Sequence, residues 1–136
     1  MRILGIDLGT VRMGLSISDP LKMFASSLEE YRRKSINADI QHILDIIKEY
    51  DVDTIVLGYP LNMDGTKGVK CQETEEFANL LSQNTSIKIE YQDERLTTVS
   101  ANKMLIDSGC KLSQRRQVVD KVSASIILQA YLDRKK

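Results

Sequence analysis

Ile3-Leu4-Gly5-Ile6-Asp7-Leu8-Gly9-Thr10, continued by Val11-Arg12-Met13-Gly14-Leu15-Ser16-Ile17-Ser18-Asp19, decides the fold. Ile3, Leu4, Ile6 and Leu8 form a nearly unbroken apolar run, the pattern of a strand covered on both faces. Gly9 supplies a tight turn. In the return strand Leu15 and Ile17 alternate with Ser16 and Ser18, and Pro20 stops it because proline cannot donate to a ladder. One carboxylate, Asp7, interrupts the first run. A charge there is costly to bury unless it is paired or holds a metal. The stretch therefore predicts a hairpin that lifts one acid into a sheet centre, with its partners elsewhere in the chain.

Outward from the hairpin, Met23 to Leu28 reads as a short third strand and Tyr31-Arg32-Arg33-Lys34 as a solvated basic loop. Ser35 can cap a helix whose apolar face is Ile36, Ile40, Ile43 and Ile47. His42, the one histidine, lies off that stripe and reads as a surface residue. Thr54-Ile55-Val56-Leu57, ended by Gly58, reads as a central parallel strand. The segment from Tyr59 to Lys70 reads as a long substrate-facing loop, since it leaves the end of that strand. A second helix is expected over Thr74 to Asn84, burying Phe77, Leu80 and Leu81, and a strand over Ile87 to Tyr91. Thr97 or Thr98 can cap a third helix carrying Ala101, Met104 and Leu105 and ended by Gly109. Ser113 can cap a last helix to about Asp133, with one stripe at Val119, Val122, Ile126 and Ala130 and another at Asp120, Ala124, Ile127 and Tyr131. A meander followed by alternating helix and strand predicts an α/β protein: a five-stranded mixed sheet flanked by helices.

With 136 residues the chain has length for a single domain, 1–136, with one core. Lys+Arg and Asp+Glu both number 19, so a globally basic nucleic-acid binder is excluded and any polyanion must be held by a local patch. Lys111, Arg115, Arg116 and Lys121, around the start of the last helix, could form that patch or a solvated helix face. No apolar run approaches the roughly 20 residues of a membrane helix, and no signal-peptide pattern opens the chain. Cys71 and Cys110 sit in no CxxC pattern, which suits a reducing, cytoplasmic setting.

Three acids from distant segments stand beside apolar residues: Asp7, Glu94 after the last strand, and Asp120 in an apolar stripe. Like charges share a pocket only with a counter-ion, and oxygen donors select Mg²⁺ or Mn²⁺. Two such ions, about 3.5–4 Å apart, would clamp a phosphodiester. The alternative is three unrelated surface or capping acids, and Asp93 could exchange roles with Glu94.

Four ordered segments narrow this further. Gly5-Ile6-Asp7-Leu8-Gly9-Thr10 with Arg12 and Gly14 comes first, then Gly58-Tyr59-Pro60-Leu61-Asn62-Met63-Asp64-Gly65. Asp93-Glu94-Arg95-Leu96-Thr97-Thr98 follows, and then Val119-Asp120-Lys121 with Ala124 and Ile127-Leu128-Gln129. Over essentially the whole chain they resemble the YqgF family, also described as RuvX or Holliday-junction-resolvase-like. The resemblance implies a ribonuclease H-like fold and a bacterial, cytoplasmic nuclease that matures the 5′ end of pre-16S ribosomal RNA. It puts the metal-binding acids at Asp7, Glu94 and Asp120. It makes Arg12, Arg95 and the Asn62–Lys70 loop, with Asn62 and Lys67, candidates to touch phosphate; Arg95 could instead pair with Glu94 or Asp93. Arg115 and Arg116 of the basic patch are the remaining substrate-binding candidates. Ser123 stands where the family often has alanine, and Tyr59 replaces a usual aliphatic residue.

The implied activity is metal-dependent phosphodiester hydrolysis on precursor RNA, with four-way DNA as the alternative substrate and a monomer or weak homodimer as the working form. A phosphate loop of actin-like or sugar-kinase ATPases also reads like Gly5 to Thr10, but those enzymes close two lobes on a nucleotide. A non-catalytic nucleic-acid-binding protein is the remaining alternative, and the acids oppose it, since they repel phosphate unless metals neutralise them.

Overall fold

The computed structural model describes residues 1–60, 64–93 and 112–134, with side chains from Ser123 onward in the last segment. Among the described residues five strands form one sheet: β1 (Arg2–Leu8), β2 (Arg12–Ser18), β3 (Ala25–Arg32), β4 (Val52–Tyr59) and β5 (Lys88–Asp93). The helices are α1 (Ile36–Tyr50), α2 (Val69–Asn84) and α3 (Leu112–Arg134). The spatial order β3-β2-β1-β4-β5 puts β1 in the centre, as the apolar run around Asp7 predicts. β1–β2 and β2–β3 pair antiparallel; β1–β4 and β4–β5 pair parallel. The C-terminal ends of β1, β4 and β5 therefore share one edge of the sheet.

Alternation along β1 divides the molecule into two layers of packing. Leu4 and Ile6, with Met13, Leu15, Ile55 and Leu57, bury against Ile40, Ile43 and Ile46 of α1 and Phe77, Ala78 and Leu81 of α2. Ile3 faces the other way and joins Val56 against Ile127, Leu128, Tyr131 and Leu132 of α3. Gly5 lies on that second face at a close approach. A Cβ there would stand 2.3 Å from Ser16 Oγ, 2.9 Å from Leu128 Cβ and 3.2 Å from the Ala124 carbonyl oxygen. Ser16 Oγ donates to that same Ala124 carbonyl at 2.8 Å, so helix and sheet meet almost backbone to backbone. At the far end the Tyr131 hydroxyl donates to Glu90 on β5. Burial, reinforced by that carboxylate, pushes the phenol up to about 12.

Several boundaries differ from the sequence expectation, each for a tertiary reason. β3 does not stop at Leu28: it continues through Tyr31 and Arg32, paired with Met13 and Arg12. The Tyr31 ring packs on the core and stacks on His42, centroids 4.1 Å apart, so Tyr31 and Arg32 are strand, Tyr31 covered, and only Arg33 and Lys34 follow it as loop. His42 is half-buried and bonded to Glu29 rather than a plain surface residue. α1 is capped by Ser35, whose Oγ accepts from the Ala38 N–H at 3.2 Å. Its buried face is Asp39, Ile40, Ile43 and Ile46, not one beginning at Ile36, which is 40% exposed. α2 starts at Val69 rather than Thr74, and buries Cys71 and Thr74 as well as Phe77 and Leu81. Its N-cap, Gly68, makes no side-chain bond, so no cap residue signals that start. α3 begins at Leu112. Of its two stripes, Ala124, Ile127 and Tyr131 form the one against the sheet. The expected helix from Thr97 to Gly109, and Cys110, lie outside the described residues.

Candidate active site

Asp7 sits near the end of the central strand, on the face that α3 covers, because it alternates in phase with Ile3 and Gly5. It is half-buried, not sealed in as an uninterrupted apolar strand would have it. The ladder registers place it in a row that crosses the sheet. Gly14 pairs with Asp7 on one side and with Glu30 on the other. On β4, Ile6 pairs with Leu57, so Gly58 is the next position beside Asp7, and Gly58 pairs with Gln92. The row reads Glu30, Gly14, Asp7, Gly58, Gln92. The central carboxylate thus has a residue without a side chain on each flank. That leaves open floor around it, where β-branched neighbours would otherwise crowd it.

An open cleft of about 310 Å³ lies over this floor, lined by Asp7, Gly9, Val11, Arg12, Gly14 and Glu30. Arg12 reaches it from β2 with its Nη1 3.0 Å from Glu30 Oε1; its side chain is 62% exposed and that of Glu30 25%. On the other flank, Gln92 Oε1 is buried with no hydrogen-bond partner among the described residues. A buried acceptor left this way is costly, and such orphans cluster where a ligand, ion or water belongs.

α3 roofs the row. Its anchor is the Gly5–Ser16–Ala124 contact. Asp7 lies two residues past Gly5, about 6.8 Å along the strand. Position 120 lies four residues before Ala124, about 6 Å along the helix. The side chain of Asp120 is outside the described residues, as are those of Arg115 and Arg116; all three positions belong to α3. Glu94, Arg95 and Asn62 also lie outside them. Asp93 ends β5 opposite Tyr59, one residue out of phase with Gln92 and hence on the α2 side of the sheet. Lys67 is on that side too. Its Nζ is 3.7 Å from Glu75 Oε1 and 5.8 Å from the Tyr59 ring centroid. Tyr59 donates its hydroxyl to Glu75, and that bond, with burial, holds the phenol above its ordinary range. Of the expected substrate contacts, Arg12 shares the cleft of Asp7, whereas Lys67 is held at the α2 end of the same edge.

Among the described residues no group of three or more His, Cys, Asp or Glu gathers to hold a metal ion. Asp7 is the one expected ligand whose side chain is described. Its surroundings fit a hard cation: a half-buried carboxylate, glycine on both flanks and an orphan amide oxygen on the same row. Glu30, Gln92 and the two flanking glycines were not singled out by sequence reasoning as parts of one site. Each belongs to a different strand, and only the register brings them into line.

A family model described as "RuvX: Holliday junction resolvase" matches residues 1–134. The chain belongs to the RuvX family. A protein of Agathobacter rectalis named "Putative pre-16S rRNA nuclease" is 44% identical over 136 residues, covering 98% of this chain and 95% of its own. A relative of the same name from Ruminiclostridium cellulolyticum is 47% identical over 135 residues, covering 98% and 95%. Among solved structures, RuvC of Thermus thermophilus in complex with a Holliday junction substrate superposes with a TM-score of 0.58 at 13% identity, over 99% of this chain and 96% of that one. The fowlpox virus Holliday junction resolvase gives 0.57 at 12%, over the whole of both chains. The RuvX chain thus has the ribonuclease H-like fold expected from its sequence.

Proposed function

We propose that this RuvX chain is a metal-dependent endonuclease whose single domain, 1–136, hydrolyses phosphodiester bonds of structured nucleic acid in the bacterial cytoplasm. The substrate we assign is precursor ribosomal RNA, in 5′-end processing of pre-16S rRNA; four-way junction DNA is the alternative. The observation that carries this reading is the row across the sheet, with Asp7 between two glycines under an open cleft that Arg12 enters. The relatives' shared name, and the full-length match to them, favour RNA over DNA.

Asp7, with Glu94 and Asp120, would hold Mg²⁺ or Mn²⁺, which supplies an activated water and a charge clamp on the leaving oxygen. The remaining work falls to the chain's own groups. The glycine floor lets a phosphate approach Asp7 without steric cost. Arg12 trades its exposed pairing with Glu30, worth no more than about 1 kcal/mol, for a charge-assisted fork on a phosphate oxygen. Arg115, Arg116, Asn62, Lys67 and Arg95 are the further candidates for phosphate contact. They hold the backbone and read no base, which suits recognition by shape. The chain acts as a monomer or a weak homodimer.

The test is a side-by-side cleavage assay on precursor RNA and junction DNA with Mg²⁺ or Mn²⁺, using Asp7→Asn, Glu94→Gln and Asp120→Asn as controls. Mn²⁺ binding by calorimetry is measured on the same proteins. Each variant is expected to fold, to lose cleavage to background and to weaken Mn²⁺ binding. Undiminished cleavage and Mn²⁺ binding in Asp7→Asn would reject the reading. Binding that persists in EDTA, with no cleavage under any metal, would move the chain to the non-catalytic class.

A further inference from the structure

Among the described residues the most deeply buried charge outside the row is Asp39, whose carboxylate side chain is 1% exposed. It lies in the first turn of α1, where the helix N-terminus favours a negative charge. Arg33 Nε donates to its Oδ2 at 2.9 Å, and the Lys34 backbone N–H donates to Oδ1 at 3.1 Å. The guanidinium does more than neutralise this acid. Its Nη1 donates at 2.8 Å to the carbonyl oxygen of Gly9, and the Arg33 backbone N–H donates at 2.9 Å to the carbonyl of Val11. Gly9 N–H closes the turn itself, onto the Arg12 carbonyl at 2.9 Å. A Cβ at Gly9 would stand 2.4 Å from that carbonyl oxygen, so the turn is tight and fully specified.

The turn from Gly9 to Arg12 begins two residues after Asp7, lines the cleft and carries Arg12. Three of its backbone carbonyls are thus held: that of Gly9 by the guanidinium that a buried carboxylate aims, that of Val11 by the Arg33 backbone and that of Arg12 by the Gly9 N–H. A buried ion pair is weak evidence for stability, because desolvation offsets the attraction; its best-attested use is to fix one geometry. An arginine fork suits this task because its donors are rigid and divergent, where a lysine offers a single point.

We propose that Arg33 and Asp39 are positioning residues for the proposed nuclease reaction: the pair fixes the turn that sets Asp7 and Arg12 against one another. This rests on the nuclease reading, and it concerns residues that touch neither substrate nor metal. Loss of the fork lets the turn breathe. A displacement of about 1 Å at a reacting group can lower a rate on the order of 100-fold.

Arg33→Lys tests this, since it keeps the charge beside Asp39 but cannot serve both Asp39 and Gly9. The expected result is a folded protein in which amide exchange at Gly9, Thr10 and Arg12 quickens about tenfold while core amides in β1 and β4 keep their protection. In the same variant kcat should fall about 10- to 100-fold with KM nearly unchanged. A second variant, Arg33→Met with Asp39→Leu, removes both charges and leaves no unpaired ion, so folding is preserved while the Gly9 carbonyl loses its donor. It should show the same selective loosening. Unchanged turn exchange and unchanged kcat in these folded variants would overturn the proposal. So would a loss of protection spread evenly through the core, which marks a merely structural pair. The exchange readout does not depend on cleavage, so a parent without nuclease activity would sink the functional reading while the latch itself is still measured.

Discussion

The two faces of the sheet are built from the same strands and do opposite work. Toward α1 and α2 the strands present Leu4, Ile6, Met13, Leu15, Ile55 and Leu57, a thick layer of large apolar side chains. Toward α3 they present Ile3, Gly5, Asp7, Gly14, Ser16 and Gly58, where side chains dwindle until the helix backbone nearly touches the sheet. The first face gains its stability from apolar area. The second gives up area to leave room, and fills the room at one end with charge. A shift of one residue along β1 would exchange the two inventories, which is why register is so tightly specified here.

That contrast can be broken from either side. Phe77→Ala, on the α2 side, should cost about 3–5 kcal/mol in denaturant unfolding. Activity per folded molecule should stay at the parent level; a fall in kcat below the melting range would mean the faces are coupled. Gly5→Ala, on the α3 side, is a smaller change in volume but meets Ser16 Oγ and Leu128 at once. It should cost about 1–3 kcal/mol and, unlike Phe77→Ala, also lower activity by shifting α3 against the strand that carries Asp7. The mildest probe is Glu30→Gln, which weakens the tie on Arg12 and removes a negative charge from the cleft rim. KM for the nucleic acid should fall by up to about fivefold, most visibly at low salt, with melting temperature unchanged. A rise in KM would show that Glu30 aims Arg12 rather than competing for it.

Much of the apolar face was legible in sequence, because its signal is local. The run around Asp7, the Ser35 cap and the alternation in β5 each point to the element that forms. Where the reading slipped, the deciding partner was distant. Tyr31 looked like part of a basic loop until His42 covered it, and Gly68 gave no cap to announce α2. Arg33 read as solvated, yet it is held by Asp39 and Gly9, and nothing in its neighbours reveals that. At the site, Asp7 was legible since a charge inside an apolar run demands an explanation. The alignment of Glu30, Gly14, Gly58 and Gln92 with it was not, because a ladder register is a relation between strands that no single segment encodes.

The seat of α3 on Gly5 and Ser16 has a consequence for how this enzyme family can vary in length. Ala124 is locked to the sheet by a hydrogen bond at its own carbonyl, so the helix is indexed there like a gear tooth in its notch. Each residue removed between positions 120 and 124 would turn everything upstream by about 100°. Loops tolerate changes of length, but a single deletion just before Ala124 would rotate the upstream part of α3 against the sheet while every packing contact beyond Ala124 stayed in place.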